Sequence, residues 1–139
     1  MESPAKITVS ITSPISLEKA WEVWTMPEHI ITWNFASDDW CTPRASNDLK
    51  VDGAFSYRME AKDGSFGFDL NGTYTDVKPL ELIEFSLEDD RKVSILFESK
   101  DSETHIIQTF EAENQNPIEL QQNGWQAIMN NYKKYAESL

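Results

Sequence analysis

The sequence holds one cysteine, two histidines and only 12 basic residues against 24 acidic ones. Each scarcity removes a class of function. A single thiol, Cys41, forbids an internal disulfide and fits a reducing compartment. Its nearest basic residue in sequence, Arg44, does not suggest an activated thiol, so Cys41 reads as structural. His29 and His105 lie far apart, with no cysteine or second histidine at ligand spacing, so no metal and no cofactor is expected. A formal charge of −12 repels phosphate backbones and anionic headgroups. Nothing more basic than Lys133-Lys134 offsets it, which argues against nucleic-acid binding. The surplus of acid is otherwise an ordinary solubility device. No apolar run approaches the roughly 18 residues of a membrane span, and no basic–apolar–small leader precedes the first strand. The expectation is a cytoplasmic protein without membrane insertion.

Catalytic motifs are missing too. There is no G-x-S-x-G, no P-loop and no dinucleotide fingerprint. Asp38-Asp39 and Asp89-Asp90 are adjacent pairs, which point to opposite faces if extended and read better as turn residues. Arg58 and Glu60 have the parity opposite to Tyr57 and Met59, which assigns them to an outer face.

What is present is a globular composition, 40% hydrophobic and 26% charged over 139 residues. That length suits one domain, 1–139, able to bury roughly two-thirds of its unfolded surface without disulfides or metal. Residues 6–12 alternate, with Ile7, Val9 and Ile11 on one face, as a half-buried strand does. Ser16 then caps a helix carrying Leu17, Ala20, Trp21 and Trp24 inward, and Pro27 stops it and opens a second, short one through Ile30, Ile31 and Trp33. From about Asp38 to Glu113 strand follows strand. Asp63-Gly64 signals a tight hairpin, and Phe66, Phe68, Leu70 and Tyr74 share one parity beyond it. Gly72 between them marks a bulge or a close approach.

Residues 116–139 read as one amphipathic helix, with Asn116 as N-cap, Pro117 at its first position and Glu119 completing a capping-box-like start. Trp125, Ile128, Met129, Tyr132, Tyr135 and Ala136 form its apolar stripe. Gly124 interrupts it, at a cost of about 1 kcal/mol relative to alanine. Either a strand crosses closely there, the commoner cause, or the missing side chain opens space beside Trp125; a slight kink is the third reading. The whole order is strand, two helices, about six antiparallel strands, long helix, and it implies an α+β layer architecture with a right-twisted sheet curled around the last helix.

Several segments together resemble a known family. They are Ser13-Pro14 with the Ala20-Trp21 helix, Thr25-Met26-Pro27-Glu28-His29-Ile30, Trp33, Asp63-Gly64, Gly72-Thr73-Tyr74 through Pro79 to Leu82-Ile83, Thr109-Phe110-Glu111 and Gly124-Trp125. Across essentially the whole chain they are similar to the domain named for the activator of Hsp90 ATPase, in the Bet v 1/START-like (helix-grip, SRPBCC) superfamily. The resemblance implies a helix-grip fold: a curved antiparallel sheet of six to seven strands around the C-terminal helix, often with a cavity between them. It does not imply one activity, since the superfamily includes binders of lipids, sterols, hormones and polyketides as well as cyclases and hydrolases. The co-chaperones behind the name carry a further N-terminal domain. Here the first strand begins by residue 6, a departure that weighs against a co-chaperone role.

The aromatic set of Trp33, Phe35, Trp40, Phe55, Tyr57, Phe66, Phe68, Tyr74, Phe85, Phe97, Trp125 and Tyr132, joined by Met129, is open to two readings. It fills the core, or it lines a ligand cavity whose tyrosine hydroxyls and indole N–H groups anchor a guest. The expected function is non-enzymatic binding of a hydrophobic or amphipathic small molecule, its identity unspecified. The alternatives are a cyclase- or hydrolase-like enzyme with His29 as general base, and a chaperone-associated interaction module. A core without a cavity above about 100 Å³ would leave no room for an ordinary ligand.

Overall fold

Alternation along β1 (Lys6–Ser13) survives intact in the fold: Ile7, Val9 and Ile11 are buried while Lys6, Thr8 and Ser10 face solvent. The computed structural model describes residues 5–139. After β1 come α1 (Leu17–Thr25) and α2 (Pro27–Trp33). Six strands follow, β2 (Trp40–Asn47), β3 (Ala54–Ala61), β4 (Gly67–Lys78), β5 (Leu82–Leu87), β6 (Lys92–Lys100) and β7 (Glu103–Glu111), then α3 (Ile118–Glu137). The seven strands form one antiparallel sheet in the order β1-β7-β6-β5-β4-β3-β2, curled into a half-barrel. The α+β helix-grip architecture expected from the sequence is the one observed.

Register explains why one face is apolar. Ile7 sits opposite Phe110, Phe110 opposite Val93, Val93 opposite Phe85 and Phe85 opposite Tyr74. A second row runs from Val9 through Gln108 and Ile95 to Ile83 and Val77. Side chains alternate with a period of two, so a slip of one residue in any strand would turn its apolar set to solvent. Two bulges interrupt the ladders, between Cys41 and Arg44 in β2 and between Tyr74 and Asp76 in β4. Gly72 is therefore a point of close approach and not the bulge itself. A Cβ there would come within 2.4 Å of the Phe55 ring and 2.9 Å of the Ser86 carbonyl.

The helices are seated by specific bonds. The Ser16 hydroxyl accepts from the Lys19 N–H at 3.2 Å, the expected N-cap of α1. The Trp33 indole N–H donates to the Val23 carbonyl at 2.9 Å and ties α2 to α1. The start of α3 differs from expectation. Asn116 does not cap it: Pro117 occupies the cap position, and the Asn116 amide N–H donates to the Glu113 carboxylate. Gln121 fastens the turn instead: its side-chain oxygen accepts from the Glu113 N–H at 2.9 Å and its amide donates to the Asn116 carbonyl at 2.8 Å. Farther along, Gln126 donates to the Ser10 carbonyl of β1, Asn131 to the Trp33 carbonyl and Tyr132 to the Ala20 carbonyl. Tyr132 is also ringed by Trp24 and Trp33, at centroid distances of 5.1 and 5.0 Å. These ties hold α3 against β1, α1 and α2. Among the described residues no helix is long and apolar enough to cross a membrane.

Candidate functional site

Because α3 is bound along β1 and α2, it stands farther from β3, β4 and β5. The inward side chains of those three strands are large, yet they do not close the gap. A small, partly open chamber of about 90 Å³ remains. Phe55, Tyr57 and Met59 of β3, Leu70 of β4, and Phe85 and Leu87 of β5 form its floor. Ile95 and Gln108 close the side toward β7, Trp24, Trp33 and Asn34 close the end, and Trp125 and Ile128 form the roof.

An open groove of about 400 Å³ adjoins the chamber. Met59, Leu70, Leu87, Trp125 and Ile128 are walls of both. The groove adds Phe68, Leu120, Gln121, Gly124, Arg91, Glu113 and Asn116. Gly124 settles the question raised by its place in a helix. Nothing lies within 4 Å of a Cβ built on it, so no strand crosses there and the missing side chain widens the groove. The commoner reading, close packing, is corrected.

A larger depression of about 530 Å³ lies open on the outer face of the sheet, walled by polar side chains such as Ser46, Ser56, Asn71 and Ser86. Its lining is mixed, with Phe55 and Leu87 beside those polar groups and Glu88 and Asp90 at its rim. The chamber and groove are the candidate site, concave and mainly apolar.

Electrostatically the chamber is neutral. Tyr57 is its one ionisable wall, and burial, reinforced by the neighbouring Tyr74 hydroxyl, holds its pKa well above the ordinary tyrosine value. Burial also raises Tyr74, partly offset by hydrogen bonds from Asn47 and Tyr57. Charge appears only at the groove, where Arg91 is held by Asp89 at 2.6 Å and the Glu113 carboxylate by Asn116. Two amides in the chamber are not consumed by the fold. The Asn34 Nδ2 is buried without a partner, and the Gln108 side chain makes no hydrogen bond among the described residues.

The structure sorts the residues singled out from the sequence. Trp33, Phe55, Tyr57, Phe85 and Trp125 meet around the chamber, and Phe68 joins Trp125 in the groove. Tyr74 packs behind Phe55, with centroids 5.4 Å apart. Phe97, Met129 and Tyr132 belong to the solid core. Phe35 lines a separate surface depression beside Asn130, Asn131 and Lys134. Phe66 precedes β4 instead of sharing its face, is 61% exposed, and forms a surface cluster with Trp40 and Phe68. His29 lines neither space. Its Nδ1 is hydrogen-bonded to the Tyr135 hydroxyl at 2.7 Å and its Nε2 lies 3.9 Å from Glu22. Among the described residues no group of three His, Cys, Asp or Glu is placed to hold a metal ion.

Sequence reasoning missed several walls. Met59 and Leu87 follow Tyr57 and Phe85 at a spacing of two, a signal that was there to read. Gln108 is a polar residue at an inward position between Ile106 and Phe110, the clearest mark in the sequence of something other than core. Asn34, just past α2, becomes a wall only through the tertiary fold.

The family model described as activator of Hsp90 ATPase homolog 1-like protein matches residues 14–137. Among solved structures, an AHSA1-like protein from Aeromonas hydrophila is 40% identical with a TM-score of 0.86, covering 95% of this chain and 93% of its own. A Cytophaga hutchinsonii protein known from its solution structure is 48% identical with a TM-score of 0.83, covering 96% and 92%. A crystal structure from Nitrosomonas europaea shares the fold at a TM-score of 0.82 with 14% identity, covering 99% of this chain and 97% of its own. No curated protein sequence matches the chain at a significant level.

Proposed function

The chain belongs to the family of activator of Hsp90 ATPase homolog 1-like proteins, and on that premise we propose that it is a non-enzymatic binding protein for an apolar or amphipathic small molecule. The observation that carries the reading is the pairing of the neutral chamber with the groove that opens from it. At about 90 Å³ the chamber between sheet and helix falls below the roughly 100 Å³ set above for a core cavity and cannot hold a whole ligand. The reading rests on the open groove beside it, which at about 400 Å³ lies within the roughly 300–1,000 Å³ of ordinary sites. The ligand's body therefore lies in the groove and one end reaches under Trp125. Binding draws on burial of apolar surface, about 25 cal/mol per Å², less the cost of immobilising the guest. The walls offer no paired acid and base and no activated nucleophile, which favours carriage over catalysis.

Titrating lipophilic metabolites while following tryptophan emission, with native mass spectrometry for stoichiometry, tests this. Saturable one-to-one binding that Trp125→Ala and Gly124→Phe abolish is the expected result. Binding that survives both variants places the ligand elsewhere and defeats the proposal.

The family description and the charge of −12 support one other reading, a chaperone-associated module. Retention of Hsp90 by the immobilised protein, lost on reversal of surface acidic residues, would select it.

A further inference from the structure

The chamber's two spare amides specify the chemistry of the group that enters it. Asn34 has no local structural reason to be asparagine. Its φ of −81° lies outside the left-handed region that asparagine tolerates at helix ends. Its backbone is already satisfied: the N–H donates to the Ile30 carbonyl, and its own carbonyl accepts from the Thr42 hydroxyl at 2.5 Å. Only the side chain is left over, 93% buried by its 7% exposure, with Nδ2 unpartnered in the chamber wall. Leaving a buried donor unmade costs about 1–3 kcal/mol.

Gln108, on the side toward β7, adds a second amide: unlike the sealed Asn34 Nδ2 it borders the open space of the chamber, and it makes no hydrogen bond with the described residues. It stands in the inward row between Val9 and Ile95, where every neighbour is aliphatic, and it is as buried as Asn34. An aliphatic residue would satisfy the register there, and the glutamine amide gains no hydrogen bond from the described residues. Two unrelated segments, the end of α2 and the middle of β7, thus each contribute an unused amide to one small space.

Resting on the binding reading above, we infer that the buried end of the ligand is a small neutral group that accepts hydrogen bonds, such as a ketone, lactone or ether oxygen, received by Asn34 and Gln108. A carboxylate or phosphate is excluded by the absence of any cation in the chamber, since amide N–H groups alone do not repay the desolvation of a buried charge. An ammonium is excluded because no carboxylate lines the chamber. A purely hydrocarbon end is disfavoured because it strands both amides. An amide turned end for end would present its carbonyl oxygen and call for a hydrogen-bond donor instead, so a preference for the ketone also fixes the orientation of the two amides.

Three size-matched probes test this on the intact protein: acetylnaphthalene, ethylnaphthalene and naphthoate, titrated against the wild-type protein and against Asn34→Leu and Gln108→Leu. The ketone is expected to bind about tenfold more tightly than either of the others and to shift the side-chain amide NMR signals of Asn34 and Gln108. The leucine variants remove the ketone's advantage while keeping ethylnaphthalene binding. Equal affinity for ketone and hydrocarbon, or preference for naphthoate, overturns the inference and leaves the binding reading standing. Failure of all three to bind overturns both. The wild-type series decides the matter even if a leucine variant misfolds.

Discussion

Trp125 lies flat on Phe110, with ring centroids 3.9 Å apart and planes 10° from parallel. This stack joins α3 to the sheet on the side of β7 and leaves the other edge of the indole facing the chamber and groove. One residue therefore serves both as a packing contact and as a wall. Trp125→Ala is expected to destabilise the fold by about 3 kcal/mol, while Trp125→Phe, which keeps a stacked ring, costs about 1 kcal/mol. Urea unfolding of both variants measures the difference.

Gly124 separates stability from binding. Its vacant Cβ position meets no atom, so Gly124→Ala should stabilise α3 by up to about 1 kcal/mol through helix propensity alone. Gly124→Phe projects a ring into the groove. It should leave the melting temperature within a few degrees of wild type yet weaken probe binding by more than about tenfold. Thermal melts and probe titration on the same samples show whether the two effects part.

Gly72 behaves in the opposite way. A methyl group there meets the Phe55 ring at 2.4 Å and the Ser86 carbonyl at 2.9 Å. The Phe55 ring, which walls the chamber, must shift to make room. Gly72→Ala is expected to cost about 2 kcal/mol and to narrow the chamber, seen as a shifted Phe55 resonance and weaker probe binding.

Alkaline pH tests the buried tyrosines. Burial raises the pKa of Tyr57, Tyr74 and Tyr132 above the ordinary tyrosine value. A group that holds its proton more tightly in the folded state than in the unfolded one lends stability in full below the unfolded pKa, and that stability is lost as pH rises through the folded pKa. Stability should accordingly fall above about pH 10. These three tyrosines should ionise together with unfolding, so the ultraviolet signal of tyrosinate and the loss of ellipticity should share a late transition. Ionisation of all three while the ellipticity is intact would contradict it.

Much of this architecture was legible because strand parity and helix capping are local. The alternation of β1, Ser16 at the start of α1, Pro27 between the short helices and the Asp63-Gly64 turn each carry their own structural instruction. What was not legible is how closely two correctly read elements approach. The same parity that placed Phe55 and Phe97 inward did not tell which would border a gap and which would meet Trp21 and Trp24 in the core. That depends on α3 lying toward β1, and the bonds of Gln126, Asn131 and Tyr132 that set it there cross most of the chain. The N-cap of α3 failed for a related reason. Asn116 donates to Glu113, Pro117 stands at the cap position with no side-chain cap bond, and Gln121 braces the preceding turn instead.

The strand order has a consequence for the moment of synthesis. β1 is made first, yet it pairs with β7, joining Lys6 to Glu111 and Ser13 to Thr104. Until β7 has emerged from the ribosome the first strand has no partner, and α3, made after β7, is the last of these elements to dock. The β2–β6 hairpins can assemble early from neighbours in sequence, whereas the sheet closes only at the end, as a late, high-contact-order step. The newborn chain thus spends most of its emergence with Ile7, Val9 and Ile11 unprotected, and the alternating threonine, serine and lysine of that strand are its guard against premature association.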